Sequence, residues 1–219
     1  RPSKIVCTGP KAKEIMVRYG GHPSEELESG CALRYEYMAN LPIRARLNKP
    51  LVNILVVLEG LPSMARFTRL VYDLLDSDPQ FNTVIRPHPA YCFSDILRDA
   101  GIVESSFKTV SISKGSHISN DFNNADVVFY KGSTAAIEAG YMGIPLIHYQ
   151  ERNLLTDDPL FEVTDLKRMA SKSDDFYEAL KYFSSMSESG YLEQSQRLRQ
   201  YIKGYLVKPS PHHIKYFQR

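Results

Sequence analysis

Two short segments carry residue types whose spacing suits phosphate chemistry. The first is Gly132-Ser133-Thr134, which follows the apolar run Asp126 to Tyr130 and opens an alanine-rich stretch through Met142. A strand that turns tightly into a helix presents unpaired N–H groups and partial positive charge at the helix start, and both attract phosphate or diphosphate. Gly132 lets a ligand approach the backbone, and Ser133 and Thr134 add hydroxyl donors. The plain alternative is that Ser133 caps the helix and binds nothing, since Ser and Thr are favoured there. Glu138 lies one helical turn beyond Thr134, where its carboxylate can accept hydrogen bonds from a ribose diol; the alternative is a solvated surface glutamate. The second segment is Arg86-Pro87-His88-Pro89. Its prolines restrict the backbone around His88, and Arg86 offers a planar fork of donors to a phosphate. The alternative here is a proline-rich turn with a surface histidine.

Both segments need strands to hold them at one edge of a sheet, and the surrounding pattern supplies such strands. From residue 51, short β-branched runs alternate with amphipathic stretches, which predicts a parallel sheet flanked by helices, a Rossmann-like α/β fold. Leu51 to Leu58, Thr83 to Ile85, Lys108 to Ile112, Asp126 to Tyr130 and Leu146 to Tyr149 read as five strands, preceded by a short one at Ile5-Val6-Cys7. Helices are expected over Lys11 to Tyr19, from a cap at Ser63 through Leu75, over Phe93 to Asp99, Thr134 to Met142, Asp174 to Met186 and Tyr191 to Leu206. Residues 22 to 50, punctuated by Pro23, Pro42 and Pro50, read as an irregular connection. In an open α/β sheet the ligand sits beyond the carboxyl ends of the strands, where Arg86, His88 and the Gly132 turn all fall.

Bulk properties narrow the partners. The chain has 219 residues, 43% of them hydrophobic and 24% charged, and a formal net charge of +2. That composition is ordinary for a globular protein, and so small a charge gives no indication of nucleic acid as a partner. Cys7, Cys31 and Cys92 form neither a C-x-x-C pair nor a metal-ligand spacing, so a reducing, cytoplasmic setting is expected, with no bound metal. Asp76-Ser77-Asp78 matches a manganese-binding D-x-D pattern, but its place after a helix and before Pro79 reads as a turn closure. No signal peptide and no apolar run of membrane-spanning length is visible, nor a Walker loop, a G-x-G-x-x-G or a nucleophile elbow. Arg197 to Arg219 holds six basic residues and no acidic one. It reads either as a surface that meets anionic lipid at the membrane's inner face or as a helix and tail packing its aromatics, Tyr201, Tyr205, Tyr216 and Phe217, onto the protein.

The Gly-Ser-Thr-x-x-x-Glu-Ala stretch, with Gly143-Ile144-Pro145 after it, resembles the donor-binding helix of GT-B glycosyltransferases such as lipid-A-disaccharide synthases and capsule or surface-polysaccharide transferases. The Arg-x-His-Pro turn resembles that of CDP-glycerol glycerophosphotransferases and capsule Kdo transferases. Residues 51 to 150 carry the resemblance. It implies the C-terminal, nucleotide-binding lobe of a metal-independent enzyme that moves a sugar from a UDP-, CMP- or CDP-linked donor to a surface glycan or lipid-linked acceptor, with no other cofactor. Ser133 and Thr134 would contact the diphosphate, Glu138 the ribose, and Arg86 and His88 the phosphate, where they would serve catalysis. The loop Ser113 to His117 would hold the base, and Gly60 would stand where the first strand turns toward the donor.

The family has a second, N-terminal lobe that binds the acceptor. The chain begins with Arg1 in place of Met, which fits a piece cut from a longer protein. Residues 1–48 are expected to be a connection or remnant of that lobe, 49–193 the nucleotide-binding domain, and 194–219 a helix and tail directed back toward the missing lobe. Some retaining members place a second glutamate eight residues before the ribose glutamate; that position is Tyr130 here, which points to inverting chemistry with the general base on the other lobe. A UDP-sugar 2-epimerase of the same fold, which would need acid/base carboxylates near the sugar, and a non-catalytic nucleotide-binding or scaffold domain are the alternative readings.

Overall fold

The computed structural model describes residues 4–47, 49–115, 117–151 and 156–216, which form two compact units. The larger unit, residues 44–195, is built on six parallel strands: β3 (Asn53–Val57), β4 (Asn82–Arg86), β5 (Val110–Ile112), β6 (Val127–Tyr130), β7 (Leu146–Tyr149) and β8 (Lys167–Ala170). They lie in the order β5-β4-β3-β6-β7-β8. Chain order therefore reverses between β3 and β6, which pair in register from Ile54 against Val127 to Val57 against Tyr130. Such a reversal leaves a crevice at the carboxyl ends of the two strands, the usual ligand position in open α/β sheets.

The sheet forms because its central strands are apolar at nearly every position, as burial on both faces requires. Residues 54–58 and 127–130 are at most 2% exposed. Crossover helices cover the faces: α2 (Met64–Leu75), α3 (Phe93–Asp99), α4 (Ile118–Asn124), α5 (Ala135–Met142) and α6 (Ser173–Ser185). On one face, the ring of Phe129 in β6 meets Phe67 of α2 edge-on at 4.8 Å and Phe176 of α6 at 4.9 Å. Tyr130, the next residue along, points to the opposite face. α5 ends at Gly143, whose φ of +86° is the left-handed conformation that glycine adopts without penalty, and the Tyr191 hydroxyl donates to the Gly143 carbonyl at 2.8 Å.

The smaller unit, residues 1–43 and 196–219, contains β1 (Ile5–Cys7), α1 (Pro10–Arg18), β2 (Leu27–Ser29) and the end of α7 (Glu188–Tyr205). In it, β1 and β2 pair in parallel, so residues 22–50 are not the wholly irregular connection that their prolines imply. Three residues of Leu-Glu-Ser are too few to show a period, which is why β2 escapes a reading of the sequence. The last turns of α7 bury Leu198 and Ile202, and Lys11 stands over the Tyr201 ring at 5.4 Å from its centre. Tyr201 and Tyr205 stack at 6.4 Å. Tyr201 and Tyr205 thus pack within the unit; Phe217 and the side chain of Tyr216 lie outside what the structure describes. Among the described residues, no helix is long and apolar enough to cross a membrane.

The D-x-D aspartates both have structural work. Asp76 is 2% exposed and accepts the N–H groups of Lys108, Thr109 and Val110, fixing the start of β5. Asp78 accepts the Gln80 N–H within its own turn and the Tyr177 hydroxyl. Ser63 precedes α2, as its sequence position implies, but its side chain makes no capping bond.

Candidate functional site

The carboxyl ends of β4, β3 and β6 place most of the sequence-selected residues side by side. After β3 come Glu59 and Gly60. A Cβ on Gly60 would stand 2.7 Å from His88 Nδ1, so the His88 ring packs closely against the glycine backbone. His88 Nδ1 accepts the Ala90 N–H at 3.1 Å. In the neutral ring this puts the proton on Nε2, leaving an N–H donor at the far edge of the imidazole. The two prolines around His88 hold this turn, and with it the ring's angle.

On the other side of Glu59 is the Gly132 turn. A Cβ on Gly132 would lie 2.1 Å from Glu59 Oε1 and 3.0 Å from Oε2. The Glu59 carboxyl thus occupies the space that a side chain at residue 132 would take, and any larger residue there would have to displace it. Ser133 is 9% exposed, and its Oγ accepts the Ala135 N–H at 3.3 Å, a local turn contact. The Ala136 and Ile137 N–H groups bond to the Ser133 and Thr134 carbonyls. Those of Gly132, Ser133 and Thr134 take no acceptor among the described residues, and they follow the carboxyl end of β6. Thr134 is exposed at the N-cap of α5, with no capping bond from its side chain. Glu138 is 8% exposed, which sets aside the solvated-surface alternative.

Arg86, at the end of β4, is engaged within the protein. Its Nη1 donates to Ser113 Oγ at 3.1 Å, to the Gly115 carbonyl at 2.5 Å and to Asp121 Oδ2 at 3.0 Å. Ser113 in turn donates to the Asp121 carboxylate at 2.8–2.9 Å. This knot ties the loop after β5 to α4, so Arg86 orders the loop from Ser113 through Gly115. Ser116 lies outside the described residues, and His117 is exposed at the start of α4.

Sequence reasoning did not select a group of charged residues at the same reversal. Lys131, 5% exposed and the last residue before Gly132, sits 3.3 Å from Glu151 Oε2 and 3.7 Å from Asp157 Oδ2. Hydrogen bonds from Arg66 and then Lys131 hold the Glu151 carboxyl below the usual carboxylate range. Burial pushes the Glu59 carboxyl up, Asp157 pushes it further, and Lys131 opposes both. Glu59 was visible as the first polar residue after the apolar β3 run; its company was not.

His148 of β7 is fully buried beside Tyr130, with ring centres 5.2 Å apart. Its Nε2 comes within 3.5 Å of Asp157 Oδ1, but the alignment is too poor for a hydrogen bond, and neither nitrogen has a partner among the described residues. Burial, the dominant influence, pushes its pKa below the ordinary 6.5. The unfolded chain then takes up a proton that the folded chain refuses, so stability falls as pH drops below about 6.5 toward the folded pKa. Urea melts across that range will show this loss in the wild type and a flatter arm in His148→Phe.

No protein-family model and no curated protein sequence matches the chain. Solved structures do match. The UDP-GlcNAc 2-epimerase of Methanocaldococcus jannaschii, in complex with UDP-GlcNAc and UDP, aligns at a TM-score of 0.60 and 14% identity over 91% of this chain and 61% of its own. The glycotransferase of kitacinnamycin aligns at 0.58 and 15% identity, covering 98% and 55%. A variant of the wall teichoic acid polymerase TagF, soaked with CDPG, aligns at 0.52 and 13% identity, covering 98% and 54%. The fold is that of a GT-B lobe. At these identities the likeness is one of fold, and the chain spans between 54% and 61% of the length of these structures. Gly132, Ser133, Gly60 and His88 stand around the carboxyl ends of β3 and β6, where the chain order reverses.

Proposed function

We propose that this chain is the donor-binding lobe of a glycosyltransferase that takes a nucleotide-linked sugar and passes it to a glycan or lipid-linked acceptor held by another lobe. One observation carries the reading: at the β3/β6 reversal, the Gly132, Ser133 and Thr134 N–H groups have no acceptor among the described residues, while the His88 ring packs against Gly60 after β3. As the sugar leaves, negative charge grows on the nucleotide's phosphate. Fixed amides, the start of α5 and His88 Nε2–H stabilise that charge without reorganising. One such preorganised donor is worth about 3–4 kcal/mol of barrier in a well-formed site. Ser133 adds its hydroxyl, Glu138 accepts from the ribose, and Arg86 contributes through the Ser113 loop that it orders. His117 flanks that loop on the base side. The departing phosphate is stabilised without a metal in this reading.

Calorimetric titration with UDP, CMP and CDP tests this. At least one binds at millimolar concentration or tighter, and Ser133→Ala and Arg86→Ala each weaken it several-fold. Absence of binding by all three in the wild type rejects the reading.

A second reading, a UDP-sugar 2-epimerase, gains support from Glu59, Asp157 and Glu151, since epimerisation needs carboxyl groups near the sugar. Assay of the complete protein for UDP release separates the two: an epimerase handles its substrate without an acceptor, and a transferase releases UDP only when one is supplied.

A further inference from the structure

The Glu59 carboxyl is oddly placed for an anion site. It lies directly against the Gly132 backbone, on the turn whose amides have no acceptor among the described residues, and its Oε2 is buried without a hydrogen-bond partner among the described residues. An ionised carboxylate there would repel the phosphate that those amides attract. Nor is a full counter-charge on hand, because Lys131 is already shared between Glu151 and Asp157. The charged groups that act on Glu59 are Asp157, from the segment after β7, and Lys131, from the end of β6; Lys131 is bonded to Glu151, which Arg66 also holds. A buried, unpaired polar atom calls for a partner, and a neutral carboxylic acid in this position has an O–H to offer.

We propose that Glu59 serves the donor site as a carboxylic acid, donating its proton in a hydrogen bond to a phosphate oxygen on the Gly132–Thr134 turn, so that each donor bound carries a proton into the protein. The idea rests on the donor-site reading above. It accounts for a glutamate beside a phosphate turn and for a glycine at residue 132 that leaves the carboxyl its room. Burial and Asp157 already hold the acid form above the usual carboxylate range in the free protein, and a bound diphosphate raises it further.

By linkage, affinity is highest at low pH and falls as pH rises through the raised pKa. The loss approaches tenfold per pH unit between the pKa values of the free and bound states. UDP-GlcNAc and CDP-glycerol are suitable probes, because their diphosphates are esterified at both ends and do not titrate near neutrality. Titration of the chain with each, in two buffers of different ionisation enthalpy, counts the protons taken up. Wild type takes up a fraction of a proton that rises toward one, and its Kd climbs with pH. Glu59→Gln, checked for an unchanged melting curve, loses both that slope and that uptake. Binding by wild type without proton uptake overturns this proposal alone, as does the same uptake in Glu59→Gln. So does binding that requires Mg2+ and loses that requirement in Glu59→Gln, which would make the carboxylate a metal ligand. If neither probe binds at any pH, the donor-site reading fails with it.

Discussion

Asp158→Ala lowers the unfolding free energy of the larger unit by about 3–5 kcal/mol, the usual cost of leaving a buried charge without its partner. Asp158 is 5% exposed and works for three donors. Its Oδ1 accepts the Tyr130 hydroxyl at 2.8 Å and the Leu160 N–H at 2.9 Å, and its Oδ2 accepts Lys167 Nζ at 2.5 Å. Lys167 is itself 4% exposed, and its other anchor is the Leu160 carbonyl. Burial pushes the Lys167 amine below its usual pKa, and Asp158 opposes that. Without the carboxylate, the ammonium, the phenol and the amide are all stranded in the interior. The double variant Asp158→Asn with Lys167→Met recovers much of the loss, because removing both charges costs far less than removing one. Urea melts of the three proteins decide the matter: equal loss in the single and double variants contradicts this account of the pair.

Thr134→Asp separates folding from function. Thr134 is exposed at the N-cap of α5 and makes no capping bond. Aspartate is a better cap than threonine and its charge suits the helix start, so stability holds or rises by up to about 1 kcal/mol. The same carboxylate would occupy the place where the phosphate is proposed to bind and would repel it. Nucleotide affinity therefore falls by about ten- to a hundredfold, the equivalent of about 1.4–2.8 kcal/mol. Thermal melts and calorimetry on the same preparation give both readouts. Unchanged affinity in a protein with an equal or higher melting temperature removes the phosphate from that helix end.

The sequence shows local chemistry well and long-range pairing poorly. The apolar runs of β3 and β6, the Gly-Ser-Thr turn and the Gly143 stop lie within stretches short enough for pattern and turn chemistry to act, and the structure has each where its residues put it. The sixth strand, β8, reads Lys-Arg-Met-Ala and has no strand signature. It is held at the sheet edge by a buried lysine whose partner, Asp158, is reached only through the fold. α4 carries no helix signal for a similar reason: its Asn-rich residues lack an apolar period, and Phe122 alone among them is buried. Arg86 reads as a free phosphate fork, because Ser113 and Asp121 stand 27 and 35 residues away in the chain. Glu59 gains its character only when the β3/β6 pairing brings it to Gly132.

The central claim is that an anion rests on the amides of Gly132, Ser133 and Thr134. A crystal of the chain soaked with UDP tests it most directly. The account predicts diphosphate density at that turn, with His88 Nε2 within hydrogen-bond reach. Well-defined nucleotide density elsewhere on the protein, with the turn closed by neighbouring side chains, would contradict it.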